Sequence, residues 1–131
     1  MIQLDRSMYD EIVKQARREF PNEACGLIAG DGRPRKVYAM RNADASPVTY
    51  RLEPKEQLQV FNDMDEQGWE LWAIYHSHTH SEAYPSETDR RQAFYPEARY
   101  LILSLEDRDD PVLRGYRIVS GEIGEEEVVV Q

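Results

Sequence analysis

Residues 71–78 read LWAIYHSH, and this stretch decides the fold. Its first five residues form a near-continuous apolar run, which predicts a strand that is buried on both faces of a sheet. His76 follows directly at the end of this strand. Because residues two apart in an extended chain point to the same side, His78 is expected beside His76. The stretch therefore predicts a central strand that ends in two neighbouring imidazoles.

The rest of the chain alternates helical and extended patterns around this strand. Leu4, Met8, Ile12 and Ala16 recur every four residues between charged neighbours, which predicts an amphipathic helix over residues 5–19. Similar patterns predict helices over 55–66 and 86–94, and strands over 25–29, 35–40, 49–52, 100–105, 112–119 and 123–130, the first two strands forming a hairpin. This order predicts one α/β domain over residues 1–131, with a single mixed β-sheet flanked by helices.

Composition narrows the class of protein. The 131 residues carry a formal net charge of -9, which argues against nucleic acid or an anionic membrane as a partner. A single cysteine, Cys25, excludes an intrachain disulfide and fits a reducing compartment. No segment approaches the roughly 20 apolar residues of a membrane-spanning helix, and residues 1–6 lack the apolar core of a signal peptide. We therefore expect a cytoplasmic protein that is complete as it stands.

Four polar residues after the central strand form a recognisable pattern. His76, His78 and Asp89 supply two imidazoles and one carboxylate, the ligands that zinc prefers, and catalytic zinc sites keep a fourth position for water. Ser86 and Asp89, three residues apart, also match a helix N-cap followed by an acidic residue, close to a capping box. The two interpretations are compatible because a serine hydroxyl accepts one hydrogen bond and donates another. The pattern predicts a metal-dependent hydrolase.

A hydrolase of this kind also needs a general base, and spacing alone does not select one among 25 acidic residues. A resemblance to a known family does select one. The segment 21–28 (PNEACGLI), with His76-Ser77-His78, Ser86 and Asp89, resembles the JAMM (MPN-plus) metalloprotease family, and all five polar positions of that pattern are present. The resemblance covers most of the chain, from the first predicted helix to about Leu105. It implies an MPN-like, cytidine-deaminase-like architecture and the activity of a zinc isopeptidase.

Carried over residue by residue, the resemblance implies a role for each polar position. His76, His78 and Asp89 would hold one Zn²⁺ per chain. Glu23 would be the general base that takes a proton from the attacking water. Ser86 would stabilise the oxyanion of the tetrahedral intermediate.

The resemblance also implies a class of substrate. Segments 75–78 and 82–86 resemble a small prokaryotic branch that acts on ubiquitin-like or sulfur-carrier proteins. A zinc metallopeptidase of this branch cleaves the peptide or isopeptide bond after a carrier's C-terminal Gly-Gly and releases cysteine or a conjugated amine. Flexible tails often bind by adding a strand to a sheet edge. Residues 49–52 are the candidate edge, and the loop 79–85 is the candidate cover.

Several alternatives stay open on sequence grounds. One is deubiquitinase-like removal of modifiers from lysines, and another is a non-catalytic MPN-type binding scaffold. A third is a non-haem iron oxygenase, since two histidines and a carboxylate also form a facial triad. His80 is expected as a solvated loop histidine, Cys25 as a small buried residue, and the Arg90-Arg91 pair as plain surface. The oligomeric state and the metal loaded in the cell are not determined by the sequence.

Overall fold

The computed structural model describes residues 1–131 as three helices and eight strands. The helices are α1 (Arg6–Glu19), α2 (Pro54–Gln67) and α3 (Glu87–Arg91). The strands are β1 (Ile2–Leu4), β2 (Cys25–Gly30), β3 (Pro34–Met40), β4 (Glu70–His78), β5 (Arg99–Ser104), β6 (Val112–Val119), β7 (Glu122–Glu126) and β8 (Val128–Val130). None of the helices has the length and apolarity needed to cross a membrane.

The main sheet has six strands in the order β3-β2-β4-β5-β6-β7. Strand β4 lies inside this sheet, antiparallel to β2 and parallel to β5, and every residue from Trp72 to His78 is buried. All other neighbouring pairs are antiparallel, including the predicted hairpin of β2 and β3. The predicted mixed sheet with a buried central strand is confirmed.

The two long helices cover opposite faces of this sheet. Alternate residues of a strand point to opposite faces, and Ile28 packs in a core that includes α1, whereas Leu27 and Ala29 pack in a second core that includes Met64 of α2. Ile12, with 2% of its surface exposed, is typical of the apolar stripe of α1. The predicted arrangement of a sheet flanked by helices is therefore confirmed.

Three predicted elements are wrong in their extent. Residues 49–52 do not form an edge strand, because their only ladder contact is an isolated bridge between Asn42 and Leu52. The third helix ends at Arg91 instead of residue 94. The predicted strand 123–130 is interrupted at Glu127, and its second half, β8, leaves the main sheet to pair in parallel with β1, which is too short to be recognised by periodicity.

A buried polar network ties β2 to the central strand. The Tyr75 hydroxyl donates to Gln15 Oε1 over 2.5 Å, and Gln15 Nε2 donates to the Cys25 carbonyl over 2.9 Å. Tyr75 crosses so close to Gly26 that a Cβ there would collide with the phenol and with the carbonyl of Tyr38. The absence of a side chain at Gly26 therefore allows β2 and β4 to pair with Cys25 opposite His76.

Candidate metal centre

Strand β4 presents two imidazoles on one side of its carboxyl end. His76 and His78 are 2% and 5% exposed, and their Nε2 atoms lie 3.2 Å apart. Asp89, on the short helix α3, places Oδ2 3.1 Å from Nε2 of His76 and 3.0 Å from Nε2 of His78. The structure thus brings together the three predicted ligands from two elements that are separate in sequence.

The spacing of these atoms fits a small divalent cation. Zinc bonds of about 2.0–2.1 Å in a tetrahedron place neighbouring ligand atoms about 3.3 Å apart, close to the observed 3.0–3.2 Å. Nδ1 of His78 lies 2.7 Å from the Glu82 carbonyl, so that nitrogen carries the proton and leaves a lone pair on Nε2. Burial lowers the pKa of His76 and favours its neutral form. Burial opposes protonation of His78 as well, but its contacts with Asp89 and the Glu82 carbonyl outweigh burial and raise its pKa. Two imidazoles and a carboxylate that converge in this way suit a metal ion, which displaces the remaining proton when it binds.

Asp89 and Ser86 form the capping box that the sequence predicted. Ser86 Oγ accepts the amide of Asp89 over 3.0 Å, and the Ser86 amide donates to Asp89 Oδ2 over 2.9 Å. Burial opposes ionisation of Asp89, but the neighbouring imidazoles of His76 and His78 and the Ser86 amide outweigh it and lower the pKa of the carboxyl. The serine is exposed and its hydroxyl proton is not used by the cap, so both predicted interpretations of this pair are compatible with the geometry.

Glu23 lies just before β2 and is buried, with 4% of its surface exposed. Its Oε1 atom has no hydrogen-bonding partner among the protein atoms. Burial raises the pKa of Glu23 to about 8, with a smaller opposing effect from His78 and a further increase from Asp89. These charge effects come from two members of the cluster, so the carboxyl group of Glu23 is electrostatically coupled to the candidate metal centre.

Ser77 connects Glu23 to the histidines, a role that sequence reasoning missed. Its Oγ accepts the amide of Ala24 over 2.7 Å, and its own amide donates to the Ala24 carbonyl over 2.9 Å. Ser77 lies between the two histidines and Ala24 adjoins Glu23. The serine thereby fixes the predicted base relative to the predicted ligands.

Tyr50 is a second residue to which sequence reasoning gave no role at the site. Its ring stacks on the imidazole of His76 with centroids 4.3 Å apart and an interplanar angle of 20°. Tyr50 also lines a groove of about 210 Å³, together with Leu52, Ile74, Phe94 and Tyr100. A cavity of about 690 Å³ at the opposite end of β4, lined by Trp72 and Arg99, contains none of the predicted site residues.

The other singled-out residues lie outside the cluster. His80 is exposed, with its ring beside Phe20 and Nδ1 2.9 Å from the hydroxyl of Thr79. Cys25 is fully buried, and burial raises the pKa of its thiol to about 12, so it is not a reactive nucleophile. Arg90 donates from Nε to the carbonyl of Gly121, which ties it to the β6–β7 turn.

Comparison with known proteins identifies related sequences. The family described as prokaryotic homologs of the JAB domain matches residues 5–119. The CysO-cysteine peptidase of Mycobacterium tuberculosis is 44% identical over 126 residues, covering 94% of this chain and 86% of that protein. A desampylase of Haloferax volcanii is 37% identical over 107 residues, covering 76% of this chain and 77% of the relative.

A solved structure shows the same fold over the whole chain. The solution structure of the Desulfitobacterium hafniense protein DSY2949 is similar with a TM-score of 0.90 and 38% identity. The similarity covers 100% of this chain and 93% of that one. The two folds therefore agree along the full length of this chain.

Proposed function

Because this chain belongs to the prokaryotic JAB family, we propose that it is a zinc peptidase that cleaves after the C-terminal Gly-Gly of a ubiquitin-like or sulfur-carrier protein. The observation that carries this proposal is the convergence of His76, His78 and Asp89. The buried carboxyl group of Glu23, which is electrostatically coupled to His78 and Asp89, supports it. The named relatives support the class of substrate, since one is a CysO-cysteine peptidase and another a desampylase. The bond cleaved would be the peptide or isopeptide bond that joins the tail to its leaving amine.

The chemistry proposed for the ligands is that of a Lewis-acid site. His76, His78 and Asp89 would hold one zinc ion and leave its fourth position open. When bound, zinc polarises the scissile carbonyl and makes a water molecule more acidic. The hydrogen bond from Nδ1 of His78 to the Glu82 carbonyl orients that ring for this task.

Glu23 is the proposed general base. Its carboxyl takes a proton from the attacking water and passes it to the leaving amine, so that the tetrahedral intermediate collapses to a free carboxyl group and a free amine. A pKa of about 8 for the metal-free protein means that burial has made this carboxyl group far more basic than an exposed glutamate. A nearby cation offsets part of that effect and brings the proton affinity towards neutral pH.

Ser86 is the proposed donor to the developing oxyanion. Its Oγ already accepts the Asp89 amide in the capping box, which fixes the position of the oxygen. The hydroxyl proton is then the donor that remains, and the exposed position of Ser86 makes it accessible to a substrate carbonyl. A fixed donor stabilises charge that develops only in the transition state.

The carrier tail is proposed to lie in the groove beside Tyr50. Because residues 49–52 do not form a strand, backbone addition along a regular edge is not available there. Tyr50, Leu52 and Tyr100 instead give the groove an apolar lining. Glycine lacks a Cβ and lets the peptide backbone approach such a surface closely, which favours a Gly-Gly terminus.

The test is cleavage of two matched substrates, followed by intact mass spectrometry. One is a small carrier protein that ends in Gly-Gly-Cys, and the other is the same carrier joined through Gly-Gly to a lysine side chain. We expect chelator-sensitive loss of cysteine, the linear amide cut by the more similar relative. Cleavage of the lysine conjugate would favour the deconjugating alternative. Cleavage of neither by zinc-loaded protein would refute the proposal and favour a binding scaffold.

Glu23→Gln provides the matched control within this experiment. It keeps the size of the side chain and removes the base, so we expect stoichiometric zinc and loss of turnover. Turnover that persists in Glu23→Gln would remove the glutamate from the mechanism. Oxygen-dependent turnover with ferrous iron would instead favour the oxygenase alternative.

A further inference from the structure

The two histidines of the candidate metal centre are held in different ways. Nδ1 of His78 lies 2.7 Å from the carbonyl of Glu82, the kind of partner that metal-ligating histidines almost always have. Nδ1 of His76 is buried and has no hydrogen-bonding partner among the protein atoms. No protein group therefore fixes the ring orientation of His76 through a hydrogen bond at Nδ1.

Tyr50 provides a contact that can fix this ring. Its aromatic ring lies nearly parallel to the imidazole, at an interplanar angle of 20° and a centroid distance of 4.3 Å. Turning the imidazole about its Cβ–Cγ bond would move Nε2 away from Asp89 Oδ2, now 3.1 Å distant. The same rotation would drive the edge of the imidazole into the face of Tyr50. The stack therefore resists the motion that would remove the ligand atom from the cluster.

The tyrosine is itself held by its neighbours. The amide group of Asn42 donates to the carbonyls of Thr49 and Glu23 over 2.9 and 3.1 Å. Its Oδ1 atom accepts the amides of Arg51 and Asp44 over 3.1 and 3.0 Å. Thr49 and Arg51 flank Tyr50 in sequence, so one amide side chain with both donors and both acceptors used anchors the tyrosine on each side.

We propose that Tyr50 is a positioning residue for the metal ligand His76, and that ring stacking does for this ring what the hydrogen bond to the Glu82 carbonyl does for His78. This inference rests on the proposed function insofar as His76 must bind a metal. Loss of the ring weakens metal binding because the free protein then samples orientations of His76 that do not bind. Loss of the hydroxyl group has little effect because only the ring face contacts the imidazole.

The experiment measures zinc affinity by competition with a chromophoric chelator, without any peptidase assay. The variants are Tyr50→Leu, which removes the ring, and Tyr50→Phe, which keeps it. Tyr9→Leu on α1 is the control for loss of an aromatic ring outside the site. We expect Tyr50→Leu to bind zinc roughly three- to tenfold more weakly, and Tyr50→Phe and Tyr9→Leu to stay within about twofold of the unaltered protein.

The absorption spectrum of bound cobalt(II) gives a second measurement, which a general loss of protein stability would not change. We expect the ligand-field bands to change in Tyr50→Leu and to be preserved in Tyr50→Phe, since they report the ligand geometry. If Tyr50→Leu fails to fold, Tyr50→Met supplies an apolar side chain without a ring for the same comparison. Circular dichroism of the metal-free proteins identifies that case.

The outcomes separate this inference from the proposed function. Unchanged zinc affinity in a folded Tyr50→Leu protein would overturn the positioning role and leave the peptidase proposal intact. Equal weakening in Tyr50→Phe and Tyr50→Leu would also overturn it, because the hydroxyl group would then be responsible. An unaltered protein that binds neither zinc nor cobalt would overturn the proposed function and this inference together.

Discussion

Substitution of Glu23 by glutamine tests the electrostatics of the site in the absence of metal. The change keeps the size of the side chain and removes a buried ionisable group that is 4% exposed. Burial raises the pKa of this carboxyl from its ordinary 4.5 to about 8 in the folded, metal-free protein. The unfolded chain exposes the carboxyl group, so there we expect the ordinary value.

The sign of the pH effect follows from this difference. A folded-state pKa above the unfolded value means that the protonated carboxyl contributes its full stability below pH 4.5 and loses it as the pH rises through about 8. Each pH unit in that interval lowers the free energy of unfolding by about 1.4 kcal/mol, so the largest total loss is about 5 kcal/mol. Polarisation of the site around the ionised group reduces this loss. We expect the free energy of unfolding to fall by about 2–4 kcal/mol between pH 5 and pH 9 because of Glu23.

The assay is urea unfolding of both proteins in a metal chelator at a series of pH values. The free energy of unfolding of Glu23→Gln minus that of the unaltered protein should rise with pH over this range. Contributions from His76, His78 and Asp89 are largely shared by the two proteins and cancel in first order. Glu66→Gln, at an exposed position on α2, is the matched control for the same chemical substitution outside the site. A flat difference for Glu23→Gln would refute the assignment of a buried carboxyl with a raised pKa.

Three further predictions concern other parts of the structure. Ser86→Ala should lower kcat about 10- to 100-fold while zinc still binds, because it removes the oxyanion donor, and Ser86→Thr should retain most activity; equal kcat in the alanine variant would argue against the donor role. Gly26→Ala should lower the free energy of unfolding by about 2–4 kcal/mol in urea titrations, since the added methyl group collides with the phenol of Tyr75 and with the backbone carbonyl of Tyr38; a neutral effect would contradict this close approach. Cys25 should resist a thiol reagent at pH 8 until urea unfolds the protein, because its thiol is buried with a pKa of about 12, and rapid labelling of the folded protein would contradict this.

The parts of the fold that the sequence predicted are those with strong local patterns. The apolar run before His76 indicated a buried central strand, and the spacing of Ser86 and Asp89 indicated a capping box, since each depends on neighbouring residues. Strands β1 and β8 have three residues each and exist because they pair with each other across the chain. A segment of three residues is too short to show the periodicity from which a strand is predicted.

The ligands of the candidate site could be predicted from the sequence, whereas the residues that hold these ligands in place could not. The prediction of a strand at 49–52 was wrong because the Asn42 side chain takes the hydrogen bonds of Thr49 and Arg51 that a neighbouring strand would otherwise take. The stack of Tyr50 on His76 joins residues that are far apart in sequence. Contacts of this kind depend on how a loop packs over the sheet. The composition and spacing of the neighbouring residues do not determine that packing.

The capping box at α3 has a consequence for how quickly metal can leave. Two of the three proposed ligands belong to a buried strand, whereas Asp89 belongs to a helix of five residues that is too short to persist alone. Segments of low local stability open more often than the sheet that supports them. We therefore expect α3 to act as a latch, whose opening rate limits metal exchange while the histidines stay in place. Time-resolved chelation should then accelerate in Ser86→Ala, and an unchanged rate would show that metal release does not depend on the latch.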